Sequence, residues 1–110
     1  MAKPPVPLLQ GSLDLLVLGA LSSGPTHGYG VATRVRERSA GALTIEDAAL
    51  YQALHRLERK GLVEAEWGLS DNNRRARFYE LTADGRKRLR AEAASWRRYA
   101  QAVAAVIEGR

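Results

Sequence analysis

The residues of this sequence that could take part in chemistry lie together on one predicted helix, around residues 47–60. On a wheel of 3.6 residues per turn, Leu50, Leu54 and Leu57 share one side, and polar side chains gather opposite. These polar residues are Gln52, His55, Arg56 and Arg59, with Tyr51 at the edge. Arginine and glutamine hydrogen-bond to base edges and to phosphates, so the stripe indicates contact with nucleic acid. A solvated helix face carries the same residue types, so the stripe alone does not establish a function.

A second group of cations follows in a predicted hairpin, which forms a basic wing around residues 68–78. Val63, Ala65 and Trp67 alternate with glutamates, as in a strand with one buried face, and 75–81 predicts the returning strand. The turn, predicted over 68–73, and the return strand carry Asn72, Asn73, Arg74, Arg75 and Arg77. A projecting tip can reach phosphates without disturbing the core. The alternative is a charged turn that serves solubility alone.

An enzyme is the first competing interpretation, and the sequence gives it little support. His27 and His55 are the only histidines, and neither has paired carboxylates or thiols at ligand spacing. His27 is interpreted as a helix-start residue and His55 as a surface residue. No glycine-rich phosphate loop or Ser/His/Asp grouping occurs. We therefore predict no catalytic residues, no metal site and no cofactor.

Composition favours a polyanionic partner. Seventeen Lys and Arg residues against twelve Asp and Glu give a net charge of +5, and the pI is near 10.1. The absence of cysteine is compatible with a reducing cytoplasm, which is the predicted location. The apolar run 13–21 is too short to span a bilayer, so no membrane association is expected.

The chain pattern predicts a mainly α fold with a small β-hairpin wing, that is, a winged helix-turn-helix followed by a long C-terminal helix. Residues 1–7 form an extended, proline-rich arm, 8–21 a buried helix, and Thr26 caps a second helix ending at Arg38. A short extended piece at 43–45, predicted to be a short strand, precedes the third helix. The domain prediction is a DNA-binding part over 1–82 and a dimerisation helix over 83–110, in one structural unit.

The last helix, capped by Thr82 and continuing to about Ile107, would span roughly 37 Å, which exceeds what so small a domain covers. Its apolar residues follow heptad steps of four and three. They are Leu89, Ala93, Trp96, Ala100, Val103 and Ile107. This stripe predicts a symmetric homodimer, and a dimer predicts a two-fold symmetric DNA site.

Trp96 is the large aromatic member of the stripe, and its role stays open between two interpretations. It either packs at the dimer seam or forms one wall of a ligand pocket between subunits. General considerations favour packing.

The sequence resembles the PadR-like transcriptional regulators, a bacterial winged-helix family, over residues 8–99. The resemblance is carried by Leu8-Leu9-Gln10-Gly11-Ser12-Leu13-Asp14-Leu15-Leu16, His27-Gly28-Tyr29-Gly30, Leu50-Tyr51-Gln52-Ala53-Leu54-His55-Arg56-Leu57-Glu58, Asn73-Arg74-Arg75-Ala76-Arg77-Phe78-Tyr79, Leu81-Thr82-Ala83-Asp84-Gly85 and Ser95-Trp96. It implies a dimeric repressor, joined through the first and last helices, that binds double-stranded DNA with the third helix and the wing. It also implies similarity to the compact branch, in which some members bind flat aromatic effectors beside a tryptophan matching Trp96. This implication makes the pocket interpretation as strong as packing.

The sequence departs from the family pattern at two places. Ala48-Ala49 stands where Gly-Ser is common, and Gln52 stands where proline is common. We therefore expect the third helix to start about a turn earlier, capped by Asp47 or Thr44, and Gln52 to contact a base or a phosphate.

A winged helix used only for protein interaction is the second competing interpretation.

Overall fold

The computed structural model describes residues 8–9 and 11–109, which form helices around a small antiparallel sheet. The elements are α1 (Leu13–Leu21), β1 (Thr26–His27), α2 (Gly28–Arg38), α3 (Asp47–Arg59), β2 (Val63–Leu69), β3 (Arg75–Leu81) and α4 (Ala83–Ile107). The predicted mainly α fold with a hairpin and a long last helix is confirmed. The predicted arm at residues 1–7 lies outside the described residues.

The apolar core lies where α1, α2 and α3 pack together and against the sheet. Val17 and Leu18 of α1, Val31 of α2 and Leu54 of α3 are fully buried there. The spacing of Leu50, Ala53, Leu54 and Leu57 places all four on one side of α3, and all four are buried. Full burial of a leucine contributes about 1.5–3 kcal/mol, so this stripe fixes how α3 rests on the core.

Helix α1 begins later than the sequence predicted. Its first residue is Leu13 rather than Leu8, because Gly11 has a φ of +85° and Ser12 donates its hydroxyl to the Leu9 carbonyl at 2.7 Å. These features form a turn before the helix. The end of α1 is held by α2, whose Arg34 donates to the carbonyls of Ala20 and Gly24.

Helix α2 is capped by His27, so the prediction that Thr26 caps it is wrong by one residue. The Nδ1 atom of His27 accepts the N–H of Gly30 at 3.1 Å. Thr26 lies instead in β1, where it pairs with Tyr79 and is buried. A Cβ atom on Gly30 would lie 1.9 Å from the Thr26 hydroxyl oxygen, so this turn requires glycine.

The sheet has the strand order β1, β3, β2, and all pairings are antiparallel. One face, with the pairs Val63–Leu81 and Ala65–Tyr79, packs on the core, and the other carries the directly opposed Glu64 and Glu80. The short strand predicted at 43–45 is wrong. That segment is not paired, and the short strand forms at Thr26–His27, where the free edge of β3 accepts it.

The hairpin is longer than predicted, because Gly68 and Leu69 belong to β2 rather than to the turn. The turn itself runs over residues 70–74, with Asn73 at a φ of +62°, and the N–H of Ser70 donates to the Arg74 carbonyl at 2.9 Å. Asparagine tolerates this left-handed conformation well. The tip therefore projects beyond the core as the sequence predicted.

The two remaining helices begin differently. Helix α3 starts at Asp47, and its N-cap Glu46 makes no side-chain bond, so the predicted cap by Thr44 or Asp47 is wrong. Helix α4 starts as predicted, because the Thr82 hydroxyl accepts the N–H of Gly85 at 2.9 Å. Gly85 is also pressed against the Leu62 carbonyl, and a Cβ atom there would lie 2.0 Å from that oxygen.

In the part of the chain that the structure describes, no helix combines the length and the hydropathy needed to cross a membrane.

Candidate nucleic-acid interface

The exposed side of α3 presents four of the predicted contact residues together. Gln52, His55 and Arg59 are exposed, and Tyr51 is 46% exposed at the edge of the same side. Among the described residues, the side chains of Gln52, His55 and Arg59 have no hydrogen-bond or ion-pair partner. Their donors and acceptors are therefore available to a ligand that approaches this side.

Arg56 is placed differently from the other residues of the predicted stripe. Its guanidinium donates to both carboxylate oxygens of Asp14 on α1, at 2.5 Å from Nη2 and 3.2 Å from Nε. The hydrogen bond to Asp14 raises the pKa of Arg56 above its ordinary value. Arg56 thus joins α3 to α1, and its role in DNA binding remains a prediction.

The wing exposes Asn73, Arg74 and Arg75, and Arg74 and Arg75 lie beside α3. The Arg75 guanidinium lies 4.6 Å from the centre of the Trp67 ring, which is a cation–π contact. Trp67 is 58% exposed, although its alternation with Val63 and Ala65 predicted a buried face. Trp67 lies on the same face of β2 as Val63 and Ala65, but this part of the hairpin extends beyond the core.

Arg77 lies nearer the base of the wing and contacts α3 instead of projecting from the tip. It donates to both carboxylate oxygens of Glu58, at 2.8 Å and 3.2 Å. Its predicted contact with DNA is likewise untested by these distances. The ion pair fixes the wing to the helix at this level.

An open cleft of about 840 Å³ separates α3 from the wing. Its walls include Tyr51 and His55 from α3, Arg74 and Arg75 from the wing, and three residues that the sequence analysis did not assign to the site. These three are His27, Tyr29 and Trp67. The His-Gly-Tyr-Gly motif could have indicated the first two, because it opens the helix next to the cleft.

Gly28 determines where Tyr51 can lie. A Cβ atom on Gly28 would be 2.9 Å from the Tyr51 hydroxyl and 3.0 Å from two of its ring carbons. The Tyr51 ring therefore rests on the backbone of the first turn of α2. Gly28 and Tyr51 both line the cleft.

Tyr79 is the buried residue beneath the cleft. Burial raises the pKa of its phenol, and the nearby Arg77 guanidinium opposes that shift. The Arg77 guanidinium, which donates to Glu58, lies 5.9 Å from the centre of the Tyr79 ring.

The predicted dimer stripe lies on α4 and is mostly uncovered. Leu89 packs partly on the core, and beyond it Trp96 is 40% exposed and Ile107 is 76% exposed. Ala100 and Val103 are exposed between them. A groove of about 420 Å³ runs between α1, α2 and α4, with Leu16, Leu43, Leu89, Ala93 and Trp96 among its lining residues. Trp96 therefore borders both the open stripe and an apolar groove.

Within residues 8–9 and 11–109, no group of three or more His, Asp or Glu side chains is arranged to hold a metal ion.

Three helices, a short strand and a hairpin that projects beside the third helix define a winged helix-turn-helix protein. A sequence profile described as the transcriptional regulator PadR-like family matches residues 17–91, and the chain belongs to this family of transcriptional regulators.

Individual similar proteins agree with this assignment. Uncharacterized protein X of Lysinibacillus sphaericus is 27% identical over 103 residues, which cover 93% of this chain and 94% of that protein. The crystal structure of a PadR family transcription regulator from Clostridium difficile R20291 matches with a TM-score of 0.73 and 29% identity, over 88% of this chain and 98% of the other. Bacillus subtilis PadR, solved in complex with operator DNA, shares the fold, with a TM-score of 0.65 and 21% identity over 74% of this chain and 46% of that one.

Proposed function

We propose that this protein is a transcriptional repressor, located in the cytoplasm, that binds a two-fold symmetric operator as a homodimer. Helix α3 enters the major groove, and the wing contacts the neighbouring backbone. Residues 1–82 act as the DNA-binding part and residues 83–110 as the dimerisation helix. A small aromatic effector that binds near Trp96 releases the DNA.

The observation that carries this proposal is the unpartnered polar side of α3 next to the exposed arginines of the wing. Gln52, His55 and Arg59 have no partner within the described residues, and Arg74 and Arg75 lie across the cleft. Fork-shaped arginine donors and a glutamine amide suit guanine and adenine edges. Bacillus subtilis PadR, which has the same fold, was solved in complex with operator DNA, and this supports the same partner here.

Dimerisation would give the operator its symmetry. The open stripe of α4 is the surface that a second copy would cover, and two α3 helices about 34 Å apart would fit successive major grooves. Linking two half-site contacts in one particle raises affinity well above that of a single copy. A monomeric form would bind each half-site only weakly.

A fluorescence anisotropy titration tests DNA binding most directly. The probe is duplex from the promoter of the protein's own gene, compared with an unrelated duplex of equal length at two salt concentrations. We expect preference for the promoter, steep loss of affinity with salt, and a loss of about 1–3 kcal/mol in Arg59→Ala. Gln52→Ala should weaken the preference, and Arg75→Ala should reduce affinity for both duplexes.

The matched control is Arg98→Ala, which removes the same charge from an exposed position on α4. It should leave affinity close to that of the parent protein. If no duplex is bound, or if Arg98→Ala weakens binding as much as Arg59→Ala, the proposal is wrong. Absence of all DNA binding would favour the interaction-only winged helix.

The effector is tested in a Trp67→Phe background, which leaves Trp96 as the only tryptophan. Planar aromatic compounds should change Trp96 fluorescence, raise the melting temperature and weaken operator binding. The stabilisation should be lost in Trp96→Ala. A panel that neither shifts the fluorescence nor stabilises the protein would count against an effector at this position.

A further inference from the structure

Two ion pairs attach α3 to its neighbours, one on each side of the exposed polar stripe. Arg56 of α3 donates twice to Asp14 of α1, and Glu58 of α3 accepts twice from Arg77 of β3. All four side chains are partly buried. The partners of α3 are thus 42 residues upstream and 19 residues downstream in the chain.

The positions on the helix show that these pairs flank the polar stripe. With Leu50 at zero, Glu58 lies at about 80° and Arg56 at about 240°, because successive residues turn by about 100°. His55 and Arg59 lie between them, at about 140° and 180°. Each edge of the exposed side is therefore tied to a different structural element.

Arginine forks that meet carboxylates at two points fix orientation as well as distance. A partly exposed ion pair contributes only about 0–1 kcal/mol to stability, so a stability role alone does not account for two such pairs. Each pair is also neutral overall. Arg56 and Arg77 therefore do not add to the unpaired positive charge that would face a phosphate backbone. The two pairs instead fix the orientation of α3 relative to α1 and to the wing.

We propose that Asp14 and Glu58 are positioning residues for operator recognition, which hold Arg56 and Arg77 in contacts that set the orientation of α3. This inference rests on the proposed DNA-binding function and changes the role of two arginines within it. Arg56 and Arg77 act on the geometry of the reading helix, whereas Gln52, His55 and Arg59 contact the DNA.

The substitution Asp14→Asn tests the inference because charge and geometry predict opposite results. Removing a carboxylate raises the net positive charge, so affinity for an unrelated duplex should rise slightly. Loss of the fork contact lets α3 shift, so the ratio of operator affinity to unrelated-duplex affinity should fall by about tenfold. Glu58→Gln should act in the same direction.

Glu66→Gln is the matched control, since it removes one negative charge from an exposed residue of β2 that makes no ion pair within the described residues. Its affinity ratio should equal that of the parent protein. Melting temperatures of all variants verify that each one folds. A ratio that is unchanged in both Asp14→Asn and Glu58→Gln would overturn the inference.

A charge-swapped double variant, Asp14→Arg with Arg56→Asp, separates positioning from direct contact. If the pair positions α3, the reversed pair should restore most of the operator preference that Asp14→Asn loses. If Arg56 instead binds a phosphate, the swap places a carboxylate there, preference is not restored, and the inference is wrong.

Amide hydrogen exchange of α3 in the free protein provides a measurement without DNA. Protection of α3 should fall in Asp14→Asn and return in the swapped variant. A parent protein that fails to prefer its operator refutes the proposed function, and the exchange result then still decides whether the pairs hold α3. Unchanged protection in Asp14→Asn would refute the positioning role itself.

Discussion

Helices α3 and α4 both carry an apolar stripe, but among the described residues only the stripe of α3 is fully covered. Leu50, Ala53, Leu54 and Leu57 are buried, and the polar side of α3 is exposed. In α4 only Gly85 is buried, and Ile107 at the far end is largely exposed. Within the described residues, the apolar side of α3 is therefore fully packed, whereas much of the apolar stripe of α4 is open to solvent.

The largest expected effect comes from a charge placed in the open stripe. Val103→Asp should raise the dimer dissociation constant by more than about 100-fold, because an unpaired carboxylate buried in an apolar seam costs several kcal/mol. Sedimentation velocity over a concentration series measures the change.

Gln101→Asp is the control for that substitution, since Gln101 lies on α4 outside the heptad stripe. It should leave the dimer intact. If Val103→Asp sediments like the parent protein at every concentration, the stripe is not the dimer surface. The exposure of the α4 stripe would then not be explained by dimerisation.

The next effect concerns the attachment of α4 to the core. Gly85→Ala should lower the free energy of unfolding by about 3 kcal/mol, because the new Cβ atom would meet the Leu62 carbonyl, a backbone atom that cannot move aside. Urea denaturation measures the loss. Asp84→Ala, at the exposed preceding residue, should cost only about 0.3–1 kcal/mol through the helix dipole. Equal losses in the two variants would contradict this account.

A smaller effect tests whether the reading side of α3 is preset by its neighbours. Gly28→Ala should displace the Tyr51 ring, which can swing outward, so stability should change little. Operator affinity should fall about fivefold, corresponding to the loss of about one hydrogen bond. In a Tyr51→Ala background the same substitution should have no further effect on affinity, as a double-mutant cycle would show. An undiminished effect in that background would mean that Gly28 acts through another group.

The smallest effect is a pH dependence of the free energy of unfolding, which arises from Tyr79 in the sheet beneath α3. Burial raises the pKa of Tyr79, so the folded protein holds the phenol proton more tightly than the unfolded chain does. This contribution to stability is complete below the ordinary tyrosine pKa of about 10 and is lost as pH rises through the raised value.

Tyr79→Phe should therefore lose less stability than the parent protein between about pH 9 and 11, and at neutral pH it should differ from the parent by less than about 1 kcal/mol. Urea denaturation at each pH measures the difference. Tyr29→Phe, at an exposed tyrosine, should follow the parent curve. Parallel curves for the parent and Tyr79→Phe would contradict the assignment.

The sequence predicted the elements with strong periodicity closely. The start of α3 at Asp47, the cap of α4 by Thr82 and the end of α4 at Ile107 agree with it. These features depend on neighbours within one helix, and periodicity and capping report such local contacts directly.

The features that the sequence missed depend on distant partners. The strand at Thr26–His27 exists because β3, some 50 residues later, offers a free edge, and a helical wheel could not show that Arg56 meets Asp14. The same limit explains Trp67, whose alternation predicted the correct face of β2 but not that the hairpin leaves the core before it.

The opposed Glu64 and Glu80 have a consequence for how the protein behaves at high concentration. Strand β2 forms the outer edge of the sheet, so one row of its backbone groups is open to pairing with another strand. A second molecule adding its own hairpin there would bring further carboxylates beside Glu64 and Glu66, which repel one another. This acidic margin disfavours edge-to-edge joining of sheets, which leaves the proposed contact between α4 helices as the route to association.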